Sequence, residues 1–279
     1  MLLVTEVSYA ASNAAGEADR VAELAAERLK GFDPVKLSEI LEKRVVRGLD
    51  RKYYRFRASR FYGGSAVGDV VLCNLRCIFC WTGRPRDDPR IGFFVSPAKA
   101  SRILLSIARS KGYNIVRLSA GEPTLGWRHL LELIGHIENE DPKVVFVLET
   151  NGILLAAYPS RVKALNGFGR IHVRVSLKAC NSQWFKVLTG ADSRFFHLPL
   201  KAIKLLYENN ISFHFSLFMG FGTEKCWRSL LERLATEISE EVLGLVELEP
   251  LVLYSSVKRR LKFLLDIGVK PNRKYTYMP

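Results

Sequence analysis

Three cysteines stand within eight positions, in the run Cys73-Asn74-Leu75-Arg76-Cys77-Ile78-Phe79-Cys80. The spacing C-x3-C-x2-C places three thiolates on one short loop, where they can hold three irons of a four-iron cluster and leave the fourth iron open to a ligand. A structural zinc site needs a fourth protein ligand. No Cys or His lies close by in sequence to supply it, although a distant residue such as His214 could. The chain has five cysteines in all, an odd number and too clustered for a distributed disulfide framework. A metal or cluster site is therefore the reading of the loop, and Cys180 and Cys226 are expected to be ordinary small buried residues.

A second set of reactive side chains lies on predicted strands. In Ile171 to Lys178 the apolar residues Ile171, Val173, Val175 and Leu177 alternate with His172, Arg174, Ser176 and Lys178, so one face is apolar and the other chemically rich. Ile211 to Phe218 repeats the split with Ser212, His214 and Ser216, and the last strand adds Glu247 and Glu249 on one face. Arg117, Ser119 and Glu149 are expected on the same side. A strand buried on both faces of an open sheet does not show this alternation. Helices packed outside would cover the apolar faces and turn the polar ones onto an enclosed lumen. The competing reading is a set of satisfied buried ion pairs.

The elements that must position these groups follow from periodicity. From Val67 onward short β-rich runs alternate with amphipathic helical patterns, the signature of βαβ units and a mainly parallel sheet. Six strands are predicted: Asp69 to Leu72, Asn114 to Leu118, Val144 to Leu148, Ile171 to Leu177, Ile211 to Leu217 and Gly244 to Leu248. Each precedes a helix; the one after the third strand is interrupted by Pro159. The predicted fold class is α/β, a partial (β/α)6 TIM-like barrel with an N-terminal helical extension. Residues 1–60 are the basic helical extension, with helices at 16–30 and 35–47; residues 61–255 form the core; residues 256–279 form a C-terminal helix and basic tail. The cysteine loop then sits at the C-terminal end of the first strand, where barrels of this kind place their chemistry.

Composition excludes several classes. With 279 residues, 48% of them hydrophobic, the chain is neither disordered nor collagenous. Apolar runs stop after a few positions, too short to cross a bilayer. The N-terminus lacks a basic n-region and carries Glu6, so a cytoplasmic protein is expected. Lys and Arg number 42 against 28 Asp and Glu, a net +14 that draws anions. The segment Lys43 to Arg60 carries eight cations, its two ends included, interleaved with Tyr53, Tyr54 and Phe56, a composition that suits single-stranded RNA or a basic face packed on the barrel.

The cysteine spacing resembles that of the radical S-adenosylmethionine (SAM) superfamily, and further segments agree. Phe79 matches the aromatic position that borders the adenine of the cofactor. Ser119-Ala120-Gly121-Glu122-Pro123 is similar to the family's Gly-Gly-Glu-Pro turn, which holds the methionine amino group, with Ala120 replacing the first Gly. Glu149-Thr150-Asn151-Gly152 is similar to a Thr-Asn-Gly segment near the cofactor. Ser176-Leu177-Lys178 resembles the Asp-x-Lys of activating enzymes for glycyl radical enzymes, with Ser in place of Asp.

The resemblance implies a 4Fe-4S cluster on Cys73, Cys77 and Cys80. It also implies SAM held near Phe79, Ser119, Ala120, Gly121, Glu122, Glu149, Asn151, Ser176 and Lys178. The reduced cluster would cleave SAM to a 5′-deoxyadenosyl radical that abstracts hydrogen from a substrate. His172, Arg174, Lys178, His214 and Glu247 are the candidates for substrate effects. The partners implied are an unassigned substrate, RNA or protein among the candidates, and a reducing electron donor such as a flavodoxin or ferredoxin; no membrane partner is expected. Two alternatives remain open here: an activating enzyme for a glycyl radical partner, and a non-catalytic iron-sulfur or zinc-bearing nucleic-acid-binding protein.

Overall fold

The computed structural model describes residues 30–266 and 268–278, so the helix expected at 16–30 lies, but for its last residue, outside them. The described chain opens with α1 (Pro34–Val45), capped by the Asp33 carboxylate, which accepts from the Val35 and Lys36 amides at 2.9 and 3.0 Å. The chain then turns extended, as β1 (Val46–Arg47) and β2 (Asp50–Ser59). This corrects the expected helical extension: the basic segment from Val46 to Ser59 is strand. Its Tyr and Phe residues favour a pleated surface, and β2 lies antiparallel on β3 (Ser65–Val70) while burying Arg51 and Tyr53.

The remaining elements are β4 (Phe93–Val95), α2 (Pro97–Lys111), β5 (Ile115–Ala120), α3 (Trp127–Glu140), β6 (Val145–Thr150), α4 (Ile153–Ala157), α5 (Ser160–Leu165), β7 (Ile171–Leu177), α6 (Ser182–Thr189), α7 (His197–Glu208), β8 (Phe213–Phe218), α8 (Glu224–Glu237), β9 (Val246–Glu249), β10 (Leu251–Val252), α9 (Ser255–Asp266) and β11 (Thr276–Tyr277). Strands β3, β5, β6, β7, β8 and β9 pair in that order and in parallel, a partial (β/α)6 barrel. Strands β1, β2 and β4 extend it on the β3 side, and β10 pairs β11 in a separate two-stranded sheet. The first parallel strand both starts and ends earlier than predicted; left-handed Leu72 (φ 66°) ends the extended run before the cysteines. Pro159 does split the helix after β6, into α4 and α5.

The amphipathic helices turn one apolar face inward. Ala100, Leu104, Leu105 and Ala108 of α2 pack with Leu130, Leu133, Ile134 and Ile137 of α3 against the outer face of the sheet. Each such Leu or Ile contributes roughly 1.5–3 kcal/mol on burial. Cys180, after β7, and Cys226, in α8, are joined as a disulfide, which corrects the expectation that they are unpaired. Their separation of 46 residues hid the pairing; the β7 loop and the start of α8 bring the Cα atoms to 5.7 Å.

His129 of α3 lies buried between two fixed partners. Its Nδ1 faces the Leu49 carbonyl at 2.7 Å and its Nε2 faces the Tyr53 hydroxyl at 2.7 Å. A neutral ring donating from Nδ1 and accepting at Nε2 satisfies both. Burial, reinforced by the Arg51 charge, pushes its pKa down to about 4. Between that value and the ordinary value of about 6.5 the unfolded chain binds the extra proton, so stability rises with pH across the window and is lost as pH falls through it. Urea unfolding at pH 7 and at pH 4.5 is expected to show this fall. His129→Gln should lower stability at pH 7 and flatten the pH dependence; an unchanged slope in that variant would contradict the assignment.

Candidate active site

The loops at the C-terminal ends of the parallel strands enclose a cavity of about 640 Å³, a size typical of small-molecule and cofactor sites. Cys73, Cys77 and Cys80 all line it. The backbone of their loop is fixed from outside: the Arg76 and Ile78 amides donate to the carbonyls of Thr189 and Leu188 at 2.9 Å each, and the Cys73 amide to Arg86 O at 3.2 Å. Arg51, fully buried, donates to Val71 O and Leu125 O at 2.7 Å each and so ties the entry of the cysteine loop to the turn after β5.

That turn is stitched to the same loop by its own backbone. The Gly121 amide donates to Val70 O at 3.1 Å and the Glu122 amide to Leu72 O at 2.8 Å. Ala120 is left-handed, with φ 79°, at the position where the family motif carries glycine. Gly121 has no room for a side chain: a Cβ there would stand 2.2 Å from Leu72 O. The Glu122 carboxylate does not face open solvent. It accepts from the Thr124 amide (3.1 Å), Thr124 Oγ1 (2.6 Å), Thr150 Oγ1 (2.7 Å) and the Asn151 amide (2.9 Å), and thereby locks the turn after β5 to the loop after β6. Asn151 in turn donates to Asn74 Oδ1 at 2.7 Å, inside the cysteine loop.

Across the lumen the polar faces of β7, β8 and β9 form one network. Arg174 donates to both oxygens of Glu247 at 2.6 and 3.0 Å and to Glu249 at 3.4 Å. Glu249 also accepts from Ser176 at 2.8 Å and Ser216 at 2.9 Å, and Lys178 donates to Ser176. Burial opposes ionisation of Glu247 and Glu249. The former is nevertheless held at about 2 by His214 and Arg174, and the latter at about 2 by Lys178 and Arg174. On the adjoining strands Glu149 takes hydrogen bonds from Arg117 and from the Tyr62 hydroxyl (3.0 Å). Phe79 lies flat on Phe218, ring centroids 3.5 Å apart, and presents an apolar plane to the cavity.

Of the residues expected at the site, Phe79, Ser119, Ala120, Gly121, Glu122, Glu149, Asn151, Arg174, Ser176, Lys178 and Glu247 line this cavity with the cysteines. His172 and His214 do not. They occupy the early positions of β7 and β8, bonded to each other at 2.6 Å, and reach the lumen only through His214 Nε2 on Glu247 (3.0 Å). Same-face residues advance two positions at a time along a strand, which leaves these rings below the cavity. Other lining residues were not among the expected site residues. Glu249 is the hub of the network, signalled only by its alternation with Glu247. Tyr54, Arg55 and Arg57 come from β2, which lies beyond the helix expected at 35–47 and for which no strand was expected. Trp81, next to Cys80, completes that wall. A register shift between Tyr53 and Arg55 brings successive β2 side chains to the cavity.

The donors present fit a cluster and SAM. Burial raises the Cys77 thiol to about 11, so at neutral pH it stays protonated unless a metal cation displaces the proton. Asn74 Nδ2 is buried with no acceptor, an unspent donor beside Cys73. Among the described residues no three Cys, His, Asp or Glu side chains converge closely enough to hold an ion, so a cluster would have to gather the thiols.

The model of the radical SAM superfamily matches residues 70–234. A protein of Pyrococcus horikoshii named "Probable GTP 3′,8-cyclase" is 29% identical over 180 residues, which is 63% of this chain and 53% of that protein. One of the same name from Sulfurisphaera tokodaii is 29% identical over 182 residues, 64% of this chain and 54% of the other. The chain thus spans about half the length of the curated relatives it matches. Among solved structures, Streptococcus suis SuiB bound to S-adenosylmethionine aligns with TM-score 0.52 and 18% identity over 75% of this chain and 48% of SuiB. The same protein has been crystallised with its precursor peptide SuiA.

The turn after β5 gives a paired expectation. Ala120→Gly relieves a left-handed alanine, roughly 1–2 kcal/mol of strain, against a glycine entropy cost of roughly 0.5–1 kcal/mol, so stability should hold or rise slightly. Gly121→Ala drives a methyl into Leu72 O and should cost more than about 2 kcal/mol. Thermal unfolding of both variants checks the turn; an unaffected Gly121→Ala would refute this geometry.

Proposed function

The chain belongs to the radical SAM superfamily, and on that premise we propose that it removes a hydrogen atom from an anionic substrate carrying a planar ring, held between the cysteine loop and β2. It is an enzyme of this class, and the family uses a 4Fe-4S cluster and SAM. When bound, the two cofactors supply one-electron chemistry that takes a hydrogen atom from carbon.

In this reading Cys73, Cys77 and Cys80 hold the cluster. Lys178, which donates to the neutral Ser176 hydroxyl, keeps N–H donors for a carboxylate of SAM. The Phe79 face borders the adenine. The carboxylate that Ser176 lacks, relative to the Asp-x-Lys of activating enzymes, is supplied from β9 by Glu249 at 2.8 Å. Glu122, Asn151 and Gly121 set the positions of the loops that frame the cavity, and cofactor and substrate bound there exclude water and stray hydrogen donors.

The observation that carries the substrate class is the wall opposite. Arg55 and Arg57 share a single buried carboxylate, Asp69, so the trio keeps one positive charge and unspent guanidinium donors. Both guanidiniums stand 5.8 Å from the Trp81 ring, and Tyr54 lies 5.2 Å from Arg55. Cations beside aromatic planes suit a phosphate or carboxylate attached to a ring. The relatives named for a GTP reaction support this class. An RNA strand is less well served: Tyr53 and Phe56, two aromatics of the basic segment, stack on each other at 4.8 Å in the core.

Anaerobic reconstitution, reduction with dithionite and assay for 5′-deoxyadenosine test the reading. About four irons per chain and cofactor cleavage are expected, and replacing any of the three cysteines by Ala should abolish cleavage. With nucleoside triphosphates as substrate probes, Arg55→Ala should weaken binding roughly ten- to hundredfold while leaving substrate-free cleavage intact. A full cluster with no cleavage would refute the reading.

A further inference from the structure

A second concavity, of about 700 Å³, opens between the turn Arg84–Arg86 and helix α9, and shares only Arg86 with the lining of the lumen. Five arginines face it, Arg84, Arg86, Arg90, Arg259 and Arg260. Among the described residues Asp87 and Asp88 are the acids of the lining, which leaves an excess of three positive charges. Neither acid serves a single partner: Asp87 is shared between Arg86 and Arg76, and Asp88 between Arg84 and Arg90. Among the described residues neither Arg259 nor Arg260 pairs with a carboxylate.

Neutral groups hold part of this charge in place. Arg260 donates from Nε to Ile78 O at 3.0 Å and from a terminal nitrogen to Cys80 O, and Arg86 donates to Cys77 O. A carbonyl oxygen orients a guanidinium without cancelling its charge, and the N–H groups that Arg260 does not spend on the two carbonyls remain for another acceptor. Burial and the neighbouring Arg86 charge lower the Arg260 pKa, as follows where cations crowd without a counter-ion. Arg259, one position earlier on α9, is exposed, and at the rim the Arg84 and Arg90 side chains are 78% and 84% exposed around Asp88.

The rest of the lining is Gly83, Pro89 and Ser256. Among the described residues it thus offers no aromatic or large aliphatic side chain, neither an anchor for a protein partner nor a plane on which a nucleobase could stack. Guanidinium forks gathered in a hollow match the oxygens of phosphate, which accept two parallel N–H bonds from one arginine. An excess of three charges fits a chain of phosphates better than a single carboxylate. We propose that this cleft is a binding site for a short phosphate chain, a diphosphate or triphosphate, and that it recognises the chain alone, since nothing in the lining reads what the chain is attached to. The site is separate from the lumen and stands whether or not the lumen takes an anionic ring. Arg86 and Arg260 connect it to the carbonyls of Cys77, Ile78 and Cys80, so a bound chain braces the backbone of the cysteine loop from outside.

The test is calorimetric titration of inorganic tripolyphosphate into the reconstituted full chain at about 150 mM salt, where diffuse surface attraction is largely screened, with magnesium in excess to protect the iron. Arg55→Ala serves as the background, so that the wall of β2 does not contribute. One site is expected, and adding Arg259→Glu should weaken it by at least about tenfold. Lys201→Glu, the same change of net charge placed on α7, should weaken it by less than about twofold. ATP should bind within about threefold of tripolyphosphate, because only the chain is held. Tripolyphosphate should also raise the thermal midpoint of the background protein and not that of the Arg259→Glu variant. Absence of tripolyphosphate binding to the background protein would overturn the proposal. So would equal losses in the Arg259→Glu and Lys201→Glu variants, which would mean attraction to the net charge of the whole chain. Loss of single-stranded RNA binding in Arg259→Glu with tripolyphosphate binding unchanged would overturn it as well, in favour of a nucleic-acid surface.

Discussion

The buried carboxylate of Glu122 is the constraint on which the rest of the site depends. A carboxylate in a dry interior is tolerated only when donors satisfy it, and here four come from two separate loops. The turn after β5 and the loop after β6 are thereby one body. Asn151 extends the lock to Asn74, and Gly121 and Glu122 hydrogen-bond backward to the residues just before Cys73. Arg51 closes the ring from below with two further carbonyls. Three loops that are distant in sequence thus share one set of coordinates, the condition for holding a cluster and a cofactor in fixed relation.

Parallel register does the same for the lumen. Glu149 stands beside Arg174, Arg174 beside His214, Ser176 beside Ser216 and Ser216 beside Glu247 across successive strands. Because the side-chain period of a strand is two, this register turns every one of these residues inward together. The ion pairs that result are not alternatives to a ligand site, as the sequence reading had set them. They line the cavity and hold Glu247 and Glu249 ionised while doing so.

Much of this was legible. The cysteine spacing, the alternation in β7 and β8 and the helical stripes each reflect a local rule, and β7 follows its predicted span residue for residue. What escaped was long-range. The basic run around Tyr53 and Arg57 has the alternation of a strand, but its partner is β3, and only pairing with β3 makes it part of the sheet. The Cys180–Cys226 bond depends on the loop after β7 meeting the start of α8, 46 residues away. His172 and His214 share the polar face of their neighbours, yet depth along the barrel, which face alone does not specify, keeps them out of the cavity lining.

Ala120 shows how far a motif letter can change when the backbone conformation is what matters. The left-handed φ of 79° is the conformation glycine usually supplies, and here it is imposed on alanine by hydrogen bonds on both sides, from Thr82 to Ala120 O and from Gly121 to Val70 O. The next position has no such freedom, since Leu72 O occupies the space of any Cβ. The two residues of one turn therefore obey different constraints. At Ala120 the cost is a backbone strain that the surrounding stitches can absorb; at Gly121 it is a collision with the strand that delivers the cysteines. Substitution is tolerated where the lock itself holds the conformation, and refused where the side chain would open the lock.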